Sequence, residues 1–237
     1  MLRYAMIDLE YYQNSKIIIA SDEVGRGPIA GPVVACSVKA KFNQDLLSNL
    51  TELGVTDSKK LTQKKRLKIL EALAINCDEI EFNKVYQRQG FEFILIEYTN
   101  VQIDEINILQ ASLMAMRDGT EQLMESGKTT VLIDGNKAFP WSKTFKENND
   151  MAQVELAPIV KGDSKSLLIG LASIIAKEYR DQLMEKYDQQ YPGYGLAKHA
   201  GYPTKAHKEA VATLGVTPIH RKSFKGVAEH VQSRPSS

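Results

Sequence analysis

Residues 21–28, Ser21-Asp22-Glu23-Val24-Gly25-Arg26-Gly27-Pro28, set two adjacent carboxylates after an apolar run and before two glycines. Asp134 repeats the pattern, because Val131-Leu132-Ile133 ends at Asp134-Gly135. Asp163 lies in Lys161-Gly162-Asp163-Ser164, at the start of a long helical pattern. Acids beside a buried strand are unfavourable unless they are paired or bind a metal. Each also has an ordinary reading. Asp22 and Glu23 fit a solvated acidic turn, Asp134 fits a turn residue before glycine, and Asp163 fits a helix N-cap worth about 1 kcal/mol. Successive strand residues point to opposite faces, so Asp22 and Glu23 share one ligand where the strand ends or twists. As a set, four oxygen-donor acids without a His or Cys cluster suit hard cations such as Mg²⁺ and Mn²⁺. Two such ions about 3.5–4 Å apart activate a water and stabilise the leaving oxygen of a phosphodiester.

Two basic segments accompany the acids. Residues 57–68 carry Lys59, Lys60, Lys64, Lys65, Arg66 and Lys68 against Asp57. Residues 198–226 carry Lys198, Lys205, Lys208, Arg221, Lys222 and Lys225 against Glu209. A charge run is ordinarily a solvated helix face. Beside an acidic metal site it also suits phosphate neutralisation. Tyr191, Tyr194 and Tyr202 lie in or next to the second segment, where a tyrosine can pack on a sugar or base, or simply cap a core. A dinucleotide site is a poor fit. Gly25, Gly27 and Gly31 have the wrong spacing for G-x-G-x-x-G, Pro28 and Pro32 flank them, and a β-branched run follows where a helix should start. A sugar-cleaving enzyme with two carboxylates would not need the basic segments.

The elements that must position these residues follow from periodicity. Ile17–Ala20 and Val33–Val38 read as buried strands around a Gly/Pro-rich turn. Residues 61–76 and 103–124 have helical spacing, 79–86 alternate like a strand, and 129–133 and 154–160 read as further strands. A looser stretch at 136–150 holds the single Trp, with 138–151 expected as a surface loop, and a long helix is expected from 161–164 to about 187. Interleaved strands and helices give an α/β class. The 237 residues are 43% hydrophobic and 25% charged, ordinary globular usage. The 30 Lys+Arg nearly balance 29 Asp+Glu, so a nucleic-acid surface must be a local patch. Cys36 and Cys77 are expected as buried free thiols. The N-terminal residues lack a secretory pattern and no apolar run suits a membrane span, so a soluble, cytoplasmic protein is expected.

Five blocks together resemble ribonuclease HII, the prokaryotic type 2 ribonuclease H. They are DEVGRGPIAGPVVACSV at 22–38, DSKKLT at 57–62, IDG at 133–135, KGDSKSLLIGLASIIAKEYRD at 161–181 and YPGYGLAKHAGYPTKAHKEAVATLGVTPIHRKSF at 191–224. The resemblance implies a ribonuclease H-like fold, with a mixed central sheet flanked by helices and a small C-terminal helical region. The expected division is an N-terminal extension at 1–16, a catalytic domain at 17–190, a helical region at 191–231 and a flexible tail at 232–237. It also implies Mn²⁺- or Mg²⁺-dependent cleavage of the RNA strand of RNA–DNA hybrids, and incision 5′ of single ribonucleotides in duplex DNA. The implied products carry 3′-hydroxyl and 5′-phosphate ends. Carried over by motif, the catalytic and metal-binding acids are Asp22, Glu23, Asp134 and Asp163. The ribonucleotide-sensing turn falls on Gly25, Arg26 and Gly27, and the sugar-packing tyrosine on Tyr202. Lys59, Lys60 and Lys161 are expected to meet substrate. A monomer with no obligatory protein partner is expected.

Some residues depart from the family pattern. The usual H-K-G-Y is His199-Ala200-Gly201-Tyr202 here, leaving Lys198 or Lys205 as substitutes for the missing cation. Gly170 replaces a usual Ala and is expected to weaken the helix by about 1 kcal/mol without touching the active site. Arg26 and the short N-terminal segment argue against the sister ribonuclease HIII.

Overall fold

The computed structural model describes residues 5–231, so the first four residues and the tail expected at 232–237 lie outside the described residues. The sheet is built from β1 (Ile17–Val24), β2 (Val33–Lys41), β3 (Tyr86–Arg88), β4 (Phe91–Tyr98), β5 (Thr129–Asp134) and β6 (Val154–Ile159). Their order is β3-β4-β2-β1-β5-β6. β1 runs antiparallel to β2 and parallel to β5, and β5 is parallel to β6, which makes the sheet mixed. The helices are α1 (Ala5–Asn14), α2 (Gln44–Leu53), α3 (Gln63–Ala72), α4 (Asn100–Ile106), α5 (Ile108–Leu123), α6 (Lys143–Asn148), α7 (Leu167–Gln190), α8 (Leu196–His199) and α9 (Lys205–Leu214).

Strand alternation sorts β1 between two cores. Ile18 and Ala20 pack on the face covered by α7, with Leu168, Leu171 and Ile175. Ile17 and Ile19 pack on the opposite face with Ala115 and Met116 of α5. A third cluster joins Met184 of α7 to Leu196, Val211 and Ile219 of the C-terminal region. Both cysteines are free and buried. Among the described residues, no helix is long and apolar enough to cross a membrane.

Four expectations need correction. The strand expected at 79–86 is a short 3₁₀ turn at Cys77–Glu79 followed by a turn at Asn83 with φ 59°, and the Tyr86 hydroxyl accepts from Glu81 N. The strand itself is β4, an apolar run buried between β3 and β2. The helix expected at 103–124 is two, broken where Asn107 takes φ 67° and caps α5 through Gln110 N. The surface loop expected at 138–151 is an aromatic cap on the α5-side core: Trp141 stacks on Phe145 at 4.7 Å and meets Phe139 edge-on at 5.2 Å. Ser142 fastens it by donating from its N and Oγ to Glu121. Finally, the long helix starts at Leu167 rather than at 161–164.

Helix α1 docks through Asp8, which is fully buried. One carboxylate oxygen accepts from Leu167 N at 2.7 Å and the other from Ser166 Oγ at 2.6 Å. A carboxylate at a helix N-terminus satisfies orphan N–H groups and complements the helix dipole. Asp8→Ala should therefore lower stability by about 1–2 kcal/mol, read as a fall in denaturation midpoint. Glu10→Ala, exposed on the same helix, should leave it unchanged; an equal effect of both would show that Asp8 is not the anchor.

Candidate active site

The register of the two central strands brings the acids together. β1 pairs with β5 so that Ser21 lies beside Ile133. One residue further on, Asp22 and Asp134 stand side by side at the strand ends, on the face covered by α7. Asp134 is paired with Ile159 of β6. After β6 the chain reverses at Lys161, whose φ of 57° is left-handed, and enters a 3₁₀ turn at Gly162–Ser164. The N–H groups of Gly162 and Asp163 donate to one Asp134 oxygen at 2.7 and 3.4 Å. As a result, carboxylate oxygens of Asp22, Asp134 and Asp163 lie within 4.8 Å of one another.

Asp163 does not cap the long helix. Ser166 does, accepting from Ile169 N at 3.1 Å. Contrary to the expectation from sequence, Gly170 is not remote from the site. A Cβ there would lie 3.0 Å from the Asp163 carbonyl and 3.3 Å from Thr56 Cα, so the glycine lets α7 approach the turn that carries Asp163.

Glu23 stands apart from the three. Alternation turns it to the other face of β1, where it pairs with Arg26 at 3.3 Å. The acids still influence one another. Burial, then Glu23 and Asp134, push the Asp22 carboxyl well above its usual range. Burial raises Glu23 to about 7 against the opposing pull of Arg26. Burial, then Asp134 and Asp57, raise Asp163 to about 6. Clustered negative charge and a donor set made entirely of oxygen fit a hard divalent ion.

The expected substrate residues divide. Desolvation lowers the Lys59 ammonium, but Asp22 and Asp163 outweigh it and hold the group above its usual range, so Lys59 faces the acids. Lys60 reaches Asp57 at 4.0 Å, and Lys161 is exposed at the reversal. Tyr202 is 41% exposed, and its ring lies against Gly27: a Cβ on Gly27 would sit 3.0 Å from Tyr202 Cε1. The turn and the tyrosine thus form one wall beside the acids.

Each basic segment loses its arginine to the interior. Arg66 is buried, donating to Glu178 at 2.9 Å and Asp181 at 3.2 Å, and it clamps α3 to α7. Arg221 is also buried. It donates to the carbonyls of Gly25, Arg26, Pro28 and Gly31 at 2.6–3.1 Å. Arg180 of α7 holds the next part of the same loop through the carbonyls of Ala30 and Pro32, and that of Ala200 before Tyr202. Burial lowers these guanidiniums to about 9 and about 10. Sequence reading missed both as loop supports. The available signal was the Gly25–Pro32 loop itself, whose carbonyls no strand could satisfy; arginine offers five donors in a fixed fork.

Comparison with known proteins first defines the class. A ribonuclease H2 from Pyrococcus horikoshii OT3 superposes with a TM-score of 0.64 at 25% identity, covering 90% of this chain and 96% of that one. A Bst-RNase HIII in complex with Mn²⁺ shares the fold, with a TM-score of 0.61 at 17% identity over 91% of this chain and 69% of that one. The fold is that of the ribonucleases H. The family model for ribonuclease HII matches residues 19–227. The ribonuclease HII of Francisella tularensis subsp. tularensis (strain WY96-3418) is 44% identical over 211 residues, 89% of this chain and 96% of the relative. The chain belongs to the ribonuclease HII family and has ribonuclease H hydrolase activity.

The raised carboxyl pKa values set a pH test on metal-free protein. An acid whose folded pKa lies above its unfolded value stabilises the fold at low pH, and that stability is lost as pH rises through the folded pKa. For Asp163 the window runs from about 4 to about 6. Asp163→Asn should therefore melt higher than wild type above pH 6, with the gain fading toward pH 4. A gain that grows as pH falls would contradict the arrangement.

Proposed function

We propose that this chain incises on the 5′ side of single ribonucleotides embedded in duplex DNA, as well as within the RNA strand of RNA–DNA hybrids, and leaves 3′-hydroxyl and 5′-phosphate ends. The observation that carries this reading is the Gly27–Tyr202 contact beside the three clustered carboxylates. A small-residue turn admits the 2′-OH that tells RNA from DNA, and a tyrosine against it can pack on the neighbouring sugar.

Asp22, Asp134 and Asp163 are the proposed ligands of Mg²⁺ or Mn²⁺, with Glu23 as the fourth acid from the other side of the strand end. Such ions supply Lewis-acid stabilisation of the phosphate and make an attacking water more acidic. The chain itself orients the substrate. Arg221 accepts no share of the ion chemistry; it fixes the turn by its carbonyls. The peptide units whose oxygens bond Arg221 also carry the N–H groups of Arg26 and Gly27, and among the described residues neither N–H donates to a protein acceptor. A charged donor on the oxygen side polarises the amide, which strengthens those N–H groups toward a 2′-OH or phosphate oxygen. Lys59 neutralises phosphate nearest the acids, with Lys60 and Lys161 further out.

A duplex DNA holding one ribonucleotide tests this, with products resolved by their ends. Wild type should give a single cut 5′ of the ribonucleotide. Asp134→Asn should lose at least about a hundredfold in rate and keep its duplex affinity. Tyr202→Ala should lose about tenfold more on the single ribonucleotide than on a continuous hybrid, the scale of one stacking contact. Cutting by Asp134→Asn at the wild-type rate, or equal losses of Tyr202→Ala on both substrates, would overturn the assignment of that residue.

A further inference from the structure

Beneath Tyr202 lies a row of imidazoles that the proposed chemistry does not use. His199 follows α8's Lys198, His207 is in α9, and His220 lies in the segment that precedes Arg221. His207 and His220 are fully buried. The rings of His199 and His207 stack at 4.5 Å, and His207 Nε2 meets His220 Nε2 at 3.2 Å.

The hydrogen bonds at the two ends fix where each proton resides. At one end, His220 Nδ1 faces both the Thr217 backbone N–H at 3.0 Å and the Thr217 hydroxyl, which can donate or accept, at 2.7 Å. That N–H can only donate, so His220 Nδ1 carries a lone pair and the proton of the neutral ring sits on Nε2. At the other end, His207 Nδ1 lies 2.9 Å from the Tyr202 carbonyl. A carbonyl can only accept, so His207 carries its proton on Nδ1 and offers a lone pair at Nε2. The two assignments, made independently, agree in the middle: His220 Nε2–H donates to His207 Nε2. One proton fits that contact and two do not. Burial lowers both rings, with His220 at about 4, in keeping with neutral imidazoles. His199 fits the same pattern, because its Nε2 faces the Tyr194 carbonyl at 2.9 Å and must donate.

We propose that His220 and His207 are positioning residues for Tyr202, joined in a directional relay from Thr217 N–H through both rings to the Tyr202 carbonyl. The relay ties the backbone of the tyrosine to the segment that supplies Arg221. The wall formed by Tyr202 and the Gly25–Gly27 turn is thus held from one side by Arg221 and from the other by the histidine pair. The Tyr202 backbone also bonds within its own loop, its N donating to His199 O and its carbonyl accepting from Thr204 N. The imidazole pair adds a hydrogen-bonded link from that loop to the chain around residue 220, beside the packing of Ala200 near Ile219. The functional part of this inference rests on the reading of Tyr202 as the sugar-packing side chain.

The test has two arms. In ¹⁵N spectra of the full chain at neutral pH, His207 should show the Nδ1–H tautomer and His220 the Nε2–H tautomer. The reverse assignment, or a charged ring at either position, would overturn the relay whatever Tyr202 does. The second arm is a double-mutant cycle on the single-ribonucleotide duplex. An Asn amide reaches the place of Nδ1 and falls short of Nε2, whereas a Gln amide reaches Nε2. His220→Asn should cut the relay and lower incision about tenfold relative to hybrid cleavage, the effect of one lost buried hydrogen bond, and His220→Gln should restore most of it. In a Tyr202→Ala background, His220→Asn should have no further selective effect. A selective loss that persists undiminished there would overturn the positioning role. If Tyr202→Ala alone leaves single-ribonucleotide incision intact, the sugar-packing reading fails while the tautomers still decide the relay.

Discussion

Three carboxylates gathered on one side of a strand end are the constraint on which the rest depends. At separations within 4.8 Å, each ionised pair repels by about 3.5 kcal/mol or more at an effective dielectric of about 20. No flexible arrangement would keep such a cluster. The β1–β5 register fixes Asp22 beside Asp134, and the N–H groups of Gly162 and Asp163 bind the Asp134 carboxylate directly. The same turn is closed from behind by Gly170, where α7 comes close enough to touch the Asp163 carbonyl. Strain and repulsion are concentrated where a dication would relieve them.

Around that cluster the fold uses buried cations in a less familiar way. Arg180 and Arg221 have neutral carbonyl partners, drawn from Gly25 to Pro32 and from Ala200. A loop rich in glycine and proline cannot satisfy its own carbonyls, and leaving them buried and unpaired would be unfavourable. The two guanidiniums solve that problem and set the loop's shape together. In contrast, Arg66 is paired with Glu178 and Asp181 and acts as an ordinary clamp between α3 and α7.

Much of this was legible in the sequence because it rests on short-range pattern. The apolar runs before Asp22 and Asp134 read as two strands that each end in an acid, and the motif blocks gave the family and with it the fold. What was not legible depended on contacts far apart in the chain. Nothing local distinguishes Arg221, buried against the Gly25 loop, from Lys222 on the surface, so charge counting placed both at the phosphates. The alternation at 79–86 mimicked a strand, whereas β4 has a nearly continuous apolar run, the mark of burial on both faces. Asn107 broke a helical pattern that reads as unbroken, because a single left-handed residue leaves the apolar spacing on either side intact. Gly170 looked like a weak point in a helix until the neighbouring turn explained it.

The most direct measurement of the central claim is calorimetric titration of the metal-free protein with Mn²⁺ at pH 6.5, repeated in buffers of different ionisation enthalpy. If Asp22, Asp134 and Asp163 form the cation site, binding must displace the protons that burial and neighbouring carboxylates hold on Asp22 and Asp163. The expected result is saturable binding with net proton release, weakened strongly by Asp22→Asn. Binding without proton release and indifferent to Asp22→Asn, or no binding at all, would contradict the site.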